Sequence, residues 1–221
     1  TTLFRSEETE GLSESAEDIH KMQEKYSGRI PGANLHYKDA VELVTEGASE
    51  VCLVVEQDVM ACRSRNVVAR IEGTDKKDEM LTITAHYDSV PEGPGAYDNM
   101  AGAAIIMELC RYFQQYRPRR TMEFVWFGAE EKGLLGSRDY IRVHESELGA
   151  HRFNMNVDLA GQLIGGNVLG VTGEASVCDK LLEIADGAGI GASVKNQIWG
   201  SDSNSFACVS FASNTVRKVR A

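Results

Sequence analysis

The segment from Thr82 to Asp98, TITAHYDSVPEGPGAYD, constrains the fold more than any other part of the sequence. An apolar run from Leu81 is typical of a buried strand, and it ends at His86, whose neutral imidazole is a strong metal ligand. Asp88 follows two residues later, and side chains two apart on an extended chain lie on the same side. A loop rich in proline and glycine then leads to Asp98, just before a helical pattern begins. The segment therefore predicts a metal site where a strand ends and a helix starts.

Strand and helix patterns alternate along the chain. Strand patterns cover residues 51–59, 66–72, 81–86, 121–127, 153–158 and 168–171. Helix patterns cover residues 13–26, 37–46, 99–116, 133–147 and 176–188. Two of these helices have apolar stripes that we expect to face inward: Ala103, Ile106, Met107, Cys110 and Phe113 in one, and Val177, Leu181, Leu182 and Ile184 in the other. The alternation predicts an α/β fold with a mixed, mainly parallel central sheet and helices on both faces.

The composition argues against several classes of protein. The formal net charge of −10 disfavours a nucleic-acid partner, since phosphate binding requires clustered Lys and Arg. The five cysteines form no C-x-x-C pair, which disfavours a disulfide framework or a structural zinc cluster. No apolar run approaches the ~18 residues that span a bilayer, and no signal peptide is recognisable. We therefore expect no membrane partner and a cytoplasmic location.

Acidic residues stand where the predicted strands end, which is where function collects in sheets of this kind. Glu130 and Glu131 follow one apolar strand, and Asp158 ends the next. With His86 and Asp98 they give one imidazole and four carboxylates, which would repel one another severely without a cation. Such ligands, without a thiolate, suit Zn²⁺, and a bridging carboxylate suits a two-metal site. Of the two adjacent glutamates, one would then bind metal and the other would be a general base.

Each of these residues also has an ordinary structural interpretation when it is taken alone. His86 would be a structural histidine, the two glutamates would be solvated loop acids, and Asp98 and Asp158 would be caps. Their joint position at the ends of predicted elements favours the metal site. The remaining histidines lack that placement, and we interpret them as structural or surface residues: His20, His36, His144 and His151.

The sequence resembles metallopeptidase family 28, the co-catalytic dizinc aminopeptidases, whose members share a phosphorylase/hydrolase-like α/β fold. Five segments carry the resemblance, in the family's order: His86-Tyr-Asp-Ser-Val, Pro94-Gly-Ala-Tyr-Asp-Asn-Met-Ala-Gly, Phe127-Gly-Ala-Glu-Glu-Lys-Gly-Leu-Leu-Gly-Ser, Asn156-Val-Asp-Leu-Ala-Gly and Ser201-Asp-Ser-Asn-Ser-Phe. Motifs in this number and order are highly specific.

The resemblance implies a role for each candidate residue. His86 and Asp158 would bind one zinc, Glu131 would bind the second, and Asp98 would bridge the two. Glu130 would be the general base. Asp88 would support the site by a hydrogen bond to His86. The implied reaction is hydrolysis of N-terminal amino acids from peptides by a metal-bridging hydroxide. The implied partner is a peptide with a free N-terminus, whose ammonium group a negative cleft attracts. The oligomeric state is left open.

The chain also departs from the family pattern. The family completes its second zinc site with a histidine well after the Ser-Asp-Ser segment, and this sequence has no histidine after His151. We therefore expect the second zinc site to be incomplete in this chain. We interpret residues 51–221 as a zinc peptidase catalytic domain that is incomplete at its C-terminus. Residues 1–50 are interpreted as an N-terminal helical segment, the remnant of an inserted or preceding domain.

Two other functions fit a chain with fewer metal ligands. One is a single-zinc enzyme similar to glutaminyl cyclases, which share the fold. The other is an inactive, peptidase-like binding module, which the missing histidine would permit. The adjacent pair Glu130 and Glu131 and the segment from Gly95 to Asp98 favour the peptidase.

Overall fold

The computed structural model describes residues 36–50, 52, 63–161, 166–197 and 199–212. Contacts divide the chain into two compact units, of which the first contains the described residues 36–50, 52, 63 and 131–133. Its one helix in the described part is α1 (Tyr37–Thr45), which confirms the helix predicted over 37–46. The helix predicted over 13–26 lies outside the described residues, as does the strand predicted over 51–59 apart from Cys52.

The second unit is an α/β structure whose elements follow most of the predicted ones. Its strands are β1 (Val67–Ile71), β2 (Lys76–His86), β3 (Arg120–Phe127), β4 (His151–Asn156), β5 (Asn167–Val171) and β6 (Ala192–Asn196). Its α-helices are α2 (Gly102–Gln115), α3 (Leu135–Val143), α4 (Ala175–Gly187) and α5 (Ser203–Ala212). A π-helical turn (Ala96–Ala101) precedes α2, and a 3₁₀ helix (Glu145–Ala150) precedes β4. The helix predicted over 133–147 is thus divided in two.

The central sheet has four strands in the order β1-β3-β2-β4. Strand β2 pairs in parallel with β3 and with β4, and β1 pairs antiparallel with β3 at the edge. Strands β5 and β6 form a separate parallel pair. This arrangement confirms the predicted mixed, mainly parallel sheet. Among the described residues, no helix is both long enough and apolar enough to cross a bilayer.

The apolar core lies between the central sheet and α2. Ile106 and Cys110 of α2 are buried against Ile83 and Phe124 of the sheet, as the apolar stripe predicts. Met107 belongs to the same predicted stripe but is 51% exposed, because it lies about 100° around the helix from Ile106 and points past the sheet.

The inward stripe predicted for α4 is wrong at two positions. Val177 and Ile184 are exposed, and Ala185 is the buried residue of this helix. Among the described strands, α4 packs against β6. A two-stranded sheet covers only a narrow stripe of a helix, so apolar residues on the flanks of the stripe stay in contact with solvent.

A charged group is buried on the other face of the sheet. Glu123 of β3 is almost fully buried, and Arg70 of β1 donates a hydrogen bond from Nε to its carboxylate at 2.6 Å. The Tyr140 hydroxyl of α3 donates a second hydrogen bond to the same carboxylate. Burial raises the pKa of Tyr140 well above its ordinary value, and Glu123 raises it further, so the hydroxyl remains a donor. A buried carboxylate is tolerated only when it is paired and hydrogen-bonded in this way.

We predict that the variant Tyr140→Phe lowers the free energy of unfolding by about 1.5–3 kcal/mol, the range for hydrogen bonds to charged groups. Urea denaturation followed by circular dichroism measures the loss. The control is Tyr112→Phe, which removes the same hydroxyl from an exposed position on α2 and should change stability little. Equal stability of the two variants would contradict the importance of the bond to Glu123.

Candidate metal centre

The three parallel strands of the central sheet end at one edge. His86 is the last residue of β2 and lies opposite Phe127, the last residue of β3. Thr84 of β2 lies opposite Asn156, the last residue of β4. Residues that follow these strands therefore meet around His86, as the sequence predicts.

Asn99 places Asp98 at the same edge. Its buried side chain donates from Nδ2 to the carbonyl oxygen of Val157 at 2.9 Å, and its Oδ1 accepts from the backbone N–H of Gly102 at 3.1 Å. A Cβ atom at position 102 would collide with the Val157 carbonyl and with the Asn99 side chain, so this close approach requires glycine. Asn99 thus joins the start of α2 to the chain just before Asp158.

The ring of His86 lies between two carboxylates. Its Nε2 atom is 3.0 Å from Oδ1 of Asp98 and 3.4 Å from Oδ1 of Asp158. One ligand atom from each of these residues lies within 4.8 Å of the other two. His86 is 1% exposed, Asp158 20% and Asp98 49%, so the group is buried at the imidazole and open to solvent at Asp98.

Asp88 contacts both His86 and Glu130. The His86 Nδ1 atom is 3.1 Å from the backbone carbonyl oxygen of Asp88 and 3.5 Å from its carboxylate. The backbone carbonyl of Asp88 is therefore the nearer partner of His86 Nδ1, and the carboxylate of Asp88 also lies close to the ring. The same carboxylate accepts a hydrogen bond at 3.0 Å from the backbone N–H of Glu130.

Glu130 extends the group from the end of β3. One of its carboxylate oxygens lies within 4.8 Å of a ring nitrogen of His86. Ala129, immediately before it, has a φ of 57°, a left-handed conformation that costs a non-glycine residue about 1 kcal/mol or more. Glu131 follows at the start of segment 131–133, which is grouped with the first unit, and its side chain is half-buried. Its assignment as a ligand remains a prediction.

The carboxylates require a positive charge at the position of the imidazole. Burial lowers the pKa of His86, but interactions with Asp158 and Asp88 and the charge of Glu130 outweigh burial and raise it to about 11. Burial raises the pKa of Asp158, but His86 and Ser201 lower it overall. The buried Oδ1 of Asp158 accepts no hydrogen bond. A divalent cation supplies the same positive charge, and one imidazole with several carboxylates is a donor set that Zn²⁺ accepts, so these residues fit the ion.

Two residues without an assigned role lie close to the group. The Ser201 hydroxyl donates to Oδ2 of Asp158 at 2.6 Å. Asp202 is fully buried, and neither of its carboxylate oxygens accepts a hydrogen bond, although Ser137 is near. Burial raises the pKa of Asp202 to about 7, and the charges of Asp158 and Asp88 contribute. The signal for both residues in the sequence is the Ser-Asp-Ser segment.

The other described histidines lie away from this group. His36 accepts a hydrogen bond from the backbone at the start of α1, and His144 stacks on Tyr140. His151 is mostly buried, with Nδ1 2.6 Å from the Thr82 hydroxyl, and burial lowers its pKa. These are contacts of ordinary structural or surface residues, while His20 lies outside the described residues.

Proteins named as aminopeptidases have sequences similar to this chain. The aminopeptidase YwaD of Bacillus subtilis (strain 168) is 41% identical over 87 residues, which make up 39% of this chain and 19% of YwaD. Leucine aminopeptidase 2 of Trichophyton rubrum is 32% identical over 136 residues, or 60% of this chain and 27% of that protein. The chain thus spans less than a third of the length of these relatives.

Solved structures are similar over most of the chain. A zinc aminopeptidase from Bacillus subtilis has a TM-score of 0.59 and 29% identity, covering 66% of this chain and 37% of its own. An aminopeptidase from Aneurinibacillus sp. strain AM-1 has a TM-score of 0.67 and 23% identity, and the match covers 83% of this chain and 47% of that protein. An Acidobacteriales glutaminyl cyclase has a TM-score of 0.56 and 18% identity, covering 65% and 55%. At their low identities, the last two show a shared fold alone.

The family model of peptidase family M28 matches residues 66–199. The match covers more than half of the chain and includes His86, Asp98, Glu130 and Asp158. Since both the ligand group and the central sheet lie within it, this chain belongs to peptidase family M28.

Proposed function

We propose that this chain carries the activity of a zinc-dependent aminopeptidase, which removes N-terminal amino acids from peptides. The observation that supports this most directly is the cluster of His86, Asp98 and Asp158 beside Glu130. Membership of family M28 and the aminopeptidases among its relatives support the same reaction.

The metal ligands are divided between two positions in this proposal. His86 and Asp158 would hold one zinc, Asp98 would be shared between that zinc and a second, and Glu131 would hold the second. Asp98 suits the bridging role because it is the most exposed of the three clustered ligands and lies at the open side. Bound zinc supplies Lewis acidity toward the scissile carbonyl and lowers the pKa of water.

Glu130 is the general base in the proposed reaction. Its carboxylate lies beside the ligand group, and its backbone is held by the carboxylate of Asp88 at 3.0 Å. It accepts a proton from the attacking water and delivers it to the nitrogen of the departing amine, which leaves as the bond to the carbonyl carbon breaks. A general base must keep a fixed distance from the reacting water, and the bond to Asp88 helps to fix it.

The proposed substrate is a peptide with a free, protonated N-terminus. Bound zinc would largely neutralise the carboxylates of the ligand group, but the whole chain has a formal net charge of −10, which two zinc ions (+4) would reduce only to −6. Such a field attracts an ammonium group and repels the C-terminal carboxylate of a peptide. This favours an exopeptidase that acts from the N-terminus.

We predict that Glu130→Gln lowers kcat for a leucyl nitroanilide by about 10²–10⁴-fold, because it removes the proton acceptor. Zinc content, measured by plasma mass spectrometry after dialysis, should be unchanged. Glu92→Gln is the matched control, since it removes an equal charge from the exposed loop between Asp88 and Asp98. Normal turnover by Glu130→Gln would contradict its assignment as the base.

We predict that Asp98→Asn weakens zinc binding by more than the ~10–100-fold that is typical when a residue supporting a ligand is lost. Isothermal titration with zinc measures the affinity. The control is Asp139→Asn, which changes an exposed residue of α3 paired with Arg142. In the unchanged chain, zinc at 100 times its Kd should raise the free energy of unfolding by about 2.7 kcal/mol. Equal zinc affinity of Asp98→Asn and Asp139→Asn would exclude Asp98 as a ligand.

The zinc stoichiometry and the reaction product distinguish this proposal from the other two functions. A peptide that begins with glutamine yields free glutamine from an aminopeptidase, but ammonia and a cyclised peptide from a cyclase. Zinc-dependent hydrolysis supports the proposal, with two zincs per chain if the second site fills and one zinc if it is incomplete. One zinc with ammonia release identifies the cyclase, and peptide binding without any product identifies a binding module.

A further inference from the structure

We propose that Ser201 is a positioning residue, which fixes the orientation of the Asp158 carboxylate for metal binding through a relay of hydrogen bonds from Thr84 and Asn156. The inference rests on the proposed function, because it assigns Asp158 as a zinc ligand. It adds a residue from the Ser-Asp-Ser segment to the site.

Four polar side chains form the relay. Thr84 Oγ1 donates to Asn156 Oδ1 at 2.7 Å, and Asn156 Nδ2 donates to Ser201 Oγ at 2.7 Å. Ser201 Oγ then donates to Asp158 Oδ2 at 2.6 Å. Thr84 is fully buried and Ser201 is half-buried, so water competes little at the start of the relay.

The chemistry of the groups sets the direction of every bond. The Asp158 carboxylate is an acceptor only, so the single proton of the Ser201 hydroxyl must be directed at it. The Ser201 oxygen can then only accept, which turns the NH₂ of the Asn156 amide toward it. The amide oxygen consequently faces Thr84, whose hydroxyl donates to it. No member of the relay has a second orientation that keeps all three bonds.

The relay leaves one oxygen of Asp158 available for the ion. Oδ2 accepts the proton of Ser201, whereas the buried Oδ1 accepts no hydrogen bond and lies 3.4 Å from Nε2 of His86. The terminal torsion of the carboxylate has only a weak preference of its own, and the contacts that restrict it include Ser201 and the backbone of Leu159. Without the Ser201 hydroxyl the carboxylate is held less firmly, so that binding of the ion has to restrict more of its rotation.

The relay also joins the two strands that carry the ligands. Thr84 lies two residues before His86 on β2, and Asn156 lies two residues before Asp158. The backbone N–H of Val157 donates to the carbonyl oxygen of Thr84 at 2.8 Å, which holds the strand ends in register. The backbone N–H of Asn204, at the start of α5, donates a hydrogen bond to the carbonyl oxygen of Ser201 at 2.8 Å. Helix α5 is thereby fixed to the ligand group.

The test compares three variants of the 221-residue chain by titration with zinc and by the visible absorption of bound Co²⁺, neither of which depends on activity. We expect Ser201→Ala to weaken zinc binding by about 10–100-fold and to shift the Co²⁺ spectrum. Ser201→Thr keeps the hydroxyl and should recover most of the affinity. The control is Ser205→Ala, which removes a buried hydroxyl of α5 that bonds Ser137 and does not reach Asp158.

The outcomes separate the relay from the proposed function. If Ser201→Ala leaves the zinc affinity and the Co²⁺ spectrum unchanged while the parent chain binds zinc, the relay is wrong and the proposed function is unaffected. A parent chain that binds no zinc contradicts the proposed function and, with it, the role of the relay. An equal loss of affinity in Ser205→Ala would show that Ser201 acts through general packing, which also overturns the proposal.

Discussion

Repulsion between the carboxylates around His86 is the constraint on which the rest of the site depends. Asp98 and Asp158 both approach Nε2 of the ring, Asp88 lies near Nδ1, and Glu130 lies within 4.8 Å of a ring nitrogen. Such a group is stable only with a positive charge at its centre, which a protonated imidazole or a cation supplies. The sheet edge must therefore hold like charges close together against their repulsion, and the surrounding hydrogen bonds serve that end.

Backbone groups help to hold these residues in place, together with the side chains. The carbonyl of Val157 accepts from Asn99, and the carbonyl of Asp88 faces His86. Gly102 is close enough to Val157 to exclude any side chain. Backbone donors and acceptors have fixed positions once the strands pair, so they restrict the ligands at a small cost in conformational entropy. The position of the site thus follows from the register of β2, β3 and β4.

Sequence patterns predict the positions of the ligands better than their orientations. His86, Glu130 and Asp158 are recognisable because an apolar strand ends at or just before each of them. The hydrogen bond of Asp88 is not predictable in its atomic detail, because side-chain alternation stops where β2 ends. The sequence does not predict that Ile184 is exposed. An apolar stripe indicates which face of a helix points inward, but it does not indicate how wide the sheet is that covers this face. Strand β6 and helix α5 carry too little periodicity to be recognised, although the Ser-Asp-Ser segment lies at the start of α5.

Asp88 couples the metal ligand to the proposed base. Its carbonyl oxygen orients the ring of His86, while its carboxylate binds the backbone of Glu130 next to a residue with a strained φ of 57°. Strain of this kind persists only where neighbouring contacts over-determine the backbone, and the bond from Asp88 is one such contact. The loop after β2 therefore acts together with the pairing of His86 and Phe127 at the ends of β2 and β3. Both contacts restrict the distance between the ligand His86 and the proposed base Glu130, and a general base must lie within hydrogen-bond reach of the proton that it accepts.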